Sequence, residues 1–202
     1  MVRHNLVLTS PTGKLVLVAP TAQDDDDAIA KMRTHPETLR YLSFLPRSLT
    51  LDEVAARREA RLDDPKTYDF NVYPAGEKGG KPLAVTGIMD IEEEHDACEA
   101  GIIVDPGAHR TGLGTEVLYT VLKFAFEKKK LHRVQFQTSA NNDGMRGWLD
   151  RVAGACYEGT RRDGWKGLDG LYTGIAMYSI LEDEWREKTK PALLMRMRVE
   201  DK

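Results

Sequence analysis

The apolar positions of the chain follow two periods in turn. Residues 14–19 are rich in β-formers and predict a first strand, and residues 68–73 alternate apolar and polar side chains as a half-buried strand does. The same reading gives strands at 83–91, 98–104 and 134–138. Two last strands at 155–162 and 172–181 are joined by a glycine-rich turn containing Trp165. Between them the spacing becomes helical. Apolar residues at 113, 117, 118, 121, 122, 124, 125 and 126 share one broad stripe and predict a helix over 113–130. That helix is a crossover, so the strands on either side of it run parallel. Thr50 and Glu53 make a capping-box pattern that starts a helix over 51–62. Thr21 and Asp24 are a similar signature ahead of a helix through 28–33, which stops before Pro36. A helix over 143–152 and a helical turn at 182–187 complete the pattern. The expected fold is an α/β domain with a twisted mixed sheet flanked by helices. Residues 1–12 read as a loosely held arm and 13–187 as the domain. Residues 188–202 form a tail that packs on the domain, adds a strand or joins a partner subunit.

One stretch carries candidate chemistry. His109-Arg110-Thr111-Gly112-Leu113-Gly114-Thr115 lies between the apolar strand ending in Ile102, Ile103 and Val104 and the long helix. First-turn N–H groups of a helix have no intrahelical partner and sit at the positive end of its dipole. Gly112 and Gly114 leave the backbone bare, so an anion can approach it, and Arg110 can add a charged contact. The loop is not the dinucleotide fingerprint, because Val117 stands where a third glycine belongs, nor a phosphate loop ending in Gly-Lys-Ser/Thr. Taken alone it reads equally well as a glycine-eased turn with no ligand.

Composition narrows the partners. The 202 residues carry a formal net charge of −3, which gives no electrostatic reason to expect nucleic acid. No run of about eighteen apolar residues suggests a membrane span, and no apolar segment follows Met1 as a secretion signal would. A cytoplasmic location is the expectation. Cys98 and Cys156 have no metal-ligand spacing and are expected reduced and buried; no metal is called for. The acidic runs at 24–27 and 92–96 read first as solvated, dipole-complementing stretches. Their second reading is attraction of a cationic acceptor such as a polyamine or amino sugar.

The segment from Glu99 through the loop to Leu118 resembles motif A of the GNAT acetyltransferases, a strand followed by R/Q-x-x-G-x-G/A at a helix start. Phe124-Ala125-Phe126-Glu127, Leu131 to Val134, Asn142, Glu158-Gly159-Thr160, Tyr178 to Leu181 and Glu184-Trp185 follow in the order and spacing of the RimJ/RimL-like branch. His35 to Leu42 is similar to that branch's first-helix region. The resemblance spans residues 13–187. It implies the GNAT-type three-layer fold and acetyl-CoA as cosubstrate. It also implies a bulge on the strand before the loop, which splays from the next parallel strand. Residues 109–115 would hold the pyrophosphate. Ile103 and Val104 would offer backbone groups to the pantetheine arm, and Asn142 would contact the cofactor from the other side. The first two helices and their loop would line the acceptor side, where this chain has Tyr41 and Phe44.

By the same resemblance, Glu99 is the candidate base that removes a proton from the acceptor ammonium, or else a positioning glutamate; Glu92, Glu94 and His95 are fallback bases. The chain departs from the family where a tyrosine often protonates the leaving thiolate: Leu149 stands there, beside Trp148, with Tyr157 and Tyr178 as other candidates. Met145 replaces a small hydroxyl residue, and His109 opens the loop where Arg or Gln is common. The implied activity is acetyl transfer to a primary amine, by a monomer or homodimer; the branch takes protein N-termini as well as small amines, and a small-molecule acceptor is favoured here because nothing in the chain suggests a basic surface for the ribosome. The departures support an alternative, a non-catalytic acyl-CoA-binding or regulatory domain.

Overall fold

The computed structural model describes residues 4–20, 25–76 and 80–200; the helix-start pair Thr21 and Asp24 lies outside them. Alternation along the strands sorts side chains to the two faces of one eight-stranded sheet. The strands are β1 Val7–Thr9, β2 Leu15–Val18, β3 Tyr68–Pro74, β4 Ala84–Glu92, β5 Ala97–Val104, β6 Arg133–Ser139, β7 Cys156–Lys166 and β8 Tyr172–Leu181. Their order is β1-β2-β3-β4-β5-β6-β8-β7. Every pairing is antiparallel except β5 with β6, which the intervening helix makes parallel.

On one face, Leu17, Phe70, Val72, Ile88, Cys98 and Ala100 pack against α4 Leu113–Lys123. Phe124, Ala125 and Phe126 are all buried. The helix widens into a π-turn over Phe124–Lys128 and is capped by Lys129. α5 Asp143–Trp148 widens in the same way over Leu149–Ala153. The other face carries α1 Asp26–Thr34, α2 Pro36–Leu39 and α3 Leu51–Asp63. Pro36 does more than stop the first helix: its fixed φ starts the short second one. The capping box at α3 forms as expected, Glu53 N–H donating to Thr50 Oγ1 at 3.2 Å and Thr50 N–H to Glu53 Oε2 at 2.8 Å.

Several expectations change. Residues 7–9 of the expected loose arm pair with β2, and Thr12 Oγ1 hydrogen-bonds Glu116 on α4. The tail packs on the domain: α6 Glu182–Glu184 runs through a π-turn at Trp185–Thr189 into α7 Lys190–Met197, with Leu193 and Leu194 buried. Trp165 sits within β7, opposite Thr173, because the strand extends four residues beyond its expected end. Cys156 is exposed, since β7 is the sheet edge; Cys98 is buried, and both thiols are free.

Two irregularities shape the sheet beside the α1–α3 face. β4 carries one extra residue between Met89 and Glu92, where Asp90 takes φ 51°. The bulge is thus on β4 and not on β5, the strand before the loop. β5 pairs with β6 only from Ala97 to Glu99, against Arg133 to Gln135. Beyond that point β6 continues along β8 while β5 keeps β4, and the two parallel strands part.

Candidate active site

The parting of β5 and β6 opens a cleft of about 710 Å³. Its floor is the sheet, one wall is the α1–α3 layer, and one end is the loop before α4. From Ala100 to Val104 the β6-facing edge of β5 has no ladder partner among the described residues. An extended ligand arm fits such an edge because it can complete the strand's hydrogen bonds.

The loop supplies donors at that end. Arg110 and Gly112 adopt left-handed backbone conformations, φ 61° and 90°. This curls the chain so that the N–H groups of Arg110, Thr111, Gly112 and Gly114 have no partner among the described residues. A Cβ added to Gly114 would meet nothing within 4 Å. Free N–H groups at the N-terminus of an eleven-residue helix are the donors an anionic phosphate requires. The other expected loop residues do different work. Leu113 is buried in the core, and its N–H faces the Thr111 hydroxyl at 3.4 Å. Thr115 N–H bonds Gly112 O at 3.1 Å, and its hydroxyl accepts from Trp148 Nε1 at 3.0 Å. His109 Nε2 lies 3.2 Å from Val104 O and braces the end of β5. Asn142 lines the cleft; its Oδ1 caps α5 through Met145 N–H at 3.1 Å, and its Nδ2 donates to Thr138 Oγ1.

Glu99 stands where β5 and β6 part, on the cleft side. Gln137 of β6 donates from Nε2 to Glu99 Oε2 at 2.7 Å. Burial pushes the Glu99 carboxyl up to about 7, helped by Asp90 and opposed by the Gln137 hydrogen bond and Arg161. A carboxyl with that affinity exchanges a proton near neutral pH. Glu92, Glu94 and His95 are exposed on the β4–β5 turn, and none lines the cleft.

The sequence matches the model of the GNAT acetyltransferase domain over residues 14–153. The chain belongs to the GNAT acetyltransferase family. A protein of T. thermophilus assigned as an acetyltransferase has 25% identity to it and a TM-score of 0.78, covering 98% of this chain and 100% of that one. A GCN5-related N-acetyltransferase from Brucella melitensis has 19% identity and a TM-score of 0.76, covering 94% of this chain and 84% of that one. Spermidine N-acetyltransferase from Vibrio cholerae, in complex with CoA and spermine, has 18% identity and a TM-score of 0.76, covering 86% and 99%. No curated protein matches the chain.

The GNAT family uses acetyl-CoA, and this chain is an N-acetyltransferase by that membership. Leu149, at the expected tyrosine position, is fully buried. Tyr178 is buried with its hydroxyl 3.4 Å from Arg146 Nε, and neither it nor Tyr157 lines the cleft. Tyr41 does. No described helix is long and apolar enough to cross a membrane, and no group of three or more metal-ligating side chains occurs among the described residues.

Sequence reasoning missed Gln137. The alternation of 134–138 puts Val134 and Phe136 in the core, so Gln137 had to face the other side with Glu99, a signal present in the pattern. It also missed a set of arginines on the α1–α3 wall. Arg57 and Arg61 are four residues apart on one helical face, whereas Arg33 joins them only through the packing of α1 on α3. Of the acidic run at 24–27, Asp24 lies outside the described residues and the other three have partners. Asp25 hydrogen-bonds Asn71 and Tyr73, Asp26 pairs with Arg58 at 3.1 Å, and Asp27 pairs with Lys31 at 2.6 Å. The run at 92–96 is outside the cleft.

Proposed function

We propose that this chain transfers the acetyl group of acetyl-CoA to a primary amine, with Glu99 as the base. The supporting observation is the buried Glu99 carboxyl, held by Gln137 and raised to about 7, at the point where β5 and β6 part. The free loop N–H groups of Arg110, Thr111, Gly112 and Gly114 hold the pyrophosphate, with Leu113 and Thr115 fixing the loop from beneath. Ile103 and Val104 present the open strand edge, and Asn142 bounds the cofactor from α5. His109 acts through Val104, as a positioning residue. The ordered motifs upstream and downstream support the RimJ/RimL-like branch.

Acetyl-CoA supplies an activated acyl carbon: the amine nitrogen bonds to it, the thioester C–S bond breaks, and CoA leaves as a thiolate that takes a proton from water. Glu99 takes a proton from the acceptor ammonium, directly or through one water, because only the neutral amine carries a lone pair for attack. Gln137 fixes the orientation of the Glu99 carboxylate. An unpaired β5 N–H is placed to stabilise charge on the carbonyl oxygen. Cleft walls hold the two substrates together, which supplies much of the rate. A small-molecule acceptor is favoured because the cleft is walled by the arms of α1–α3 and by Trp165 of β7, whose ring meets Phe44 at 4.8 Å.

The test is CoA release from acetyl-CoA with a panel of small amines and short peptides, followed over pH 5.5–9. Base catalysis by Glu99 gives kcat/KM for the acceptor a rising limb near pH 7 that Glu99→Gln abolishes. Tight acetyl-CoA binding with no release from any amine would favour the acyl-CoA-binding alternative.

A further inference from the structure

Arg33, Arg57 and Arg61 all line the cleft, from α1 and α3. Arg61 is committed to Asp69 on β3 by a two-pronged salt bridge, one prong 2.6 Å long. Arg33 and Arg57 make no hydrogen bond or salt bridge to any described residue, and Arg33 Nε is buried without a partner. Asp26, the other carboxylate on α1 that faces the cleft, is spent on Arg58. Glu37 on α2 is exposed and makes no ion pair with the cluster. Asp69 is the carboxylate that acts on all three guanidiniums, and Asp64 and Asp90 act on Arg61 alone among them. The crowding is costly: burial and the neighbouring Arg57 and Arg61 pull Arg33 down to about 10, and burial with Arg61 lowers Arg57. Arg33 Nε is buried while Arg57 is exposed, and neither guanidinium has a partner among the described residues, so the two forks are open to an acceptor oxygen pair.

The cluster borders the proposed base and not the phosphate loop. Arg61 Nη2 is 3.8 Å from Met89 Sδ, and Met89 is the cross-strand partner of Glu99. Asp90 acts on both Glu99 and Arg61. Glu99 and Val104 are five residues apart on an extended strand, so the loop end lies about 17 Å further along β5.

We propose that Arg33 and Arg57 form an oxyanion site that selects acceptors carrying a carboxylate or phosphate beside the reacting amine, and disfavours polyamines. This rests on the reading that Glu99 activates the acceptor in this cleft. Each planar fork matches an oxyanion in two-point fashion, and a third cation nearby repels an acceptor with only positive charge.

The experiment uses matched acceptors: an amino acid, its carboxamide, an aminoalkyl phosphonate and spermidine, with acetyl-CoA saturating. The site gives the anion-bearing acceptor a KM about tenfold to a hundredfold below that of its carboxamide. Arg57→Gln on the solvent-open side collapses that ratio toward one by raising KM, with kcat changed less than KM, and Arg33→Lys lowers it partly. The amino acid and phosphonate arms tell carboxylate from phosphate. In parallel, binding of the N-acetyl amino acid and its N-acetyl amide is followed by fluorescence of Trp148 and Trp165, which line the cleft. Equal kinetics for acid and amide, preference for spermidine, or an Arg57→Gln effect on acetyl-CoA KM instead of acceptor KM overturns the oxyanion site while leaving acetyl transfer intact. Arginine-dependent binding of the acid without CoA release from any amine overturns the transfer reading and leaves the site standing. Neither release nor binding overturns both.

Discussion

The two ends of the cleft are built from different materials. The end proposed for the cofactor is backbone: four N–H groups without a partner among the described residues in one loop and the open edge of one strand, all within residues 100–114. The end proposed for the acceptor is side chains: Arg33 from α1, Arg57 and Arg61 from α3, Asp69 from β3, and Glu99 with Gln137 across β5 and β6. Backbone donors are set by local chain conformation and tolerate change of side chain. A side-chain cluster exists only once four or five separate elements pack, and each member can be altered singly. The fold thus keeps one end constant in kind and leaves the other free to define an acceptor.

That contrast can be broken by substitution. The largest effect is expected at Glu99. Glu99→Gln lowers acceptor kcat/KM by about 10²–10⁴-fold, the range for loss of a general base, and leaves acetyl-CoA KM within twofold. A loss below threefold makes Glu99 a positioning residue and moves the chemistry elsewhere.

Stability sharpens the same point. Glu99 holds its proton more tightly folded, at about 7, than at its ordinary 4.5. Its contribution to stability is therefore fully present below pH 4.5 and is lost as pH rises through 7. The span is up to about 3 kcal/mol for a shift of this size. Urea midpoints at pH 5 and pH 8 should fall with pH in the native chain and differ much less in Glu99→Gln.

Smaller effects separate conformation from contact at the loop. Gly112→Ala places a side chain at φ 90° and costs about 1–2 kcal/mol of stability, read as a lower Tm. Gly114→Ala meets open space and no strain, so stability holds or rises by up to about 1 kcal/mol from helix propensity. Its methyl crowds the anion, and acetyl-CoA KM rises while acceptor KM does not. If Gly114→Ala leaves acetyl-CoA KM unchanged, the loop is not the phosphate site. Thr50→Ala removes the α3 cap and costs about 1 kcal/mol. Because α3 carries Arg57 and Arg61, that loss is read at the acceptor KM and not at the cofactor KM.

Legibility followed the same division. The loop, its helix and the parallel pair were readable because each depends on residues adjacent in sequence: two glycines, a stripe in α4, and a crossover. The capping box at Thr50 and Glu53 was readable for the same reason. Strand ends were misjudged where pairing decided them. Trp165 looks like a turn residue among glycines, but β8 extends its ladder to Tyr172 and draws β7 out to Lys166. The arm was underestimated because Val7 to Thr9 have little burial of their own and are held by hydrogen bonds to β2. The acidic run around Asp25 was visible, yet its partners Asn71, Tyr73 and Arg58 lie 32 to 48 residues away in sequence.

By itself the sequence determined the family, the α/β architecture, a glycine-containing loop at the start of the long helix and a glutamate on the strand leading to it. These follow from local periodicity, glycine conformation and capping, which act over a few residues. Only the tertiary structure decided which charges remain unspent. It used Asp25, Asp26 and Asp69 as structural partners and left Arg33 and Arg57 facing the cleft with no hydrogen-bond or salt-bridge partner among the described residues. Net charge is a sum over the chain, but electrostatics in a cleft depends on distance and burial, and those exist only after packing.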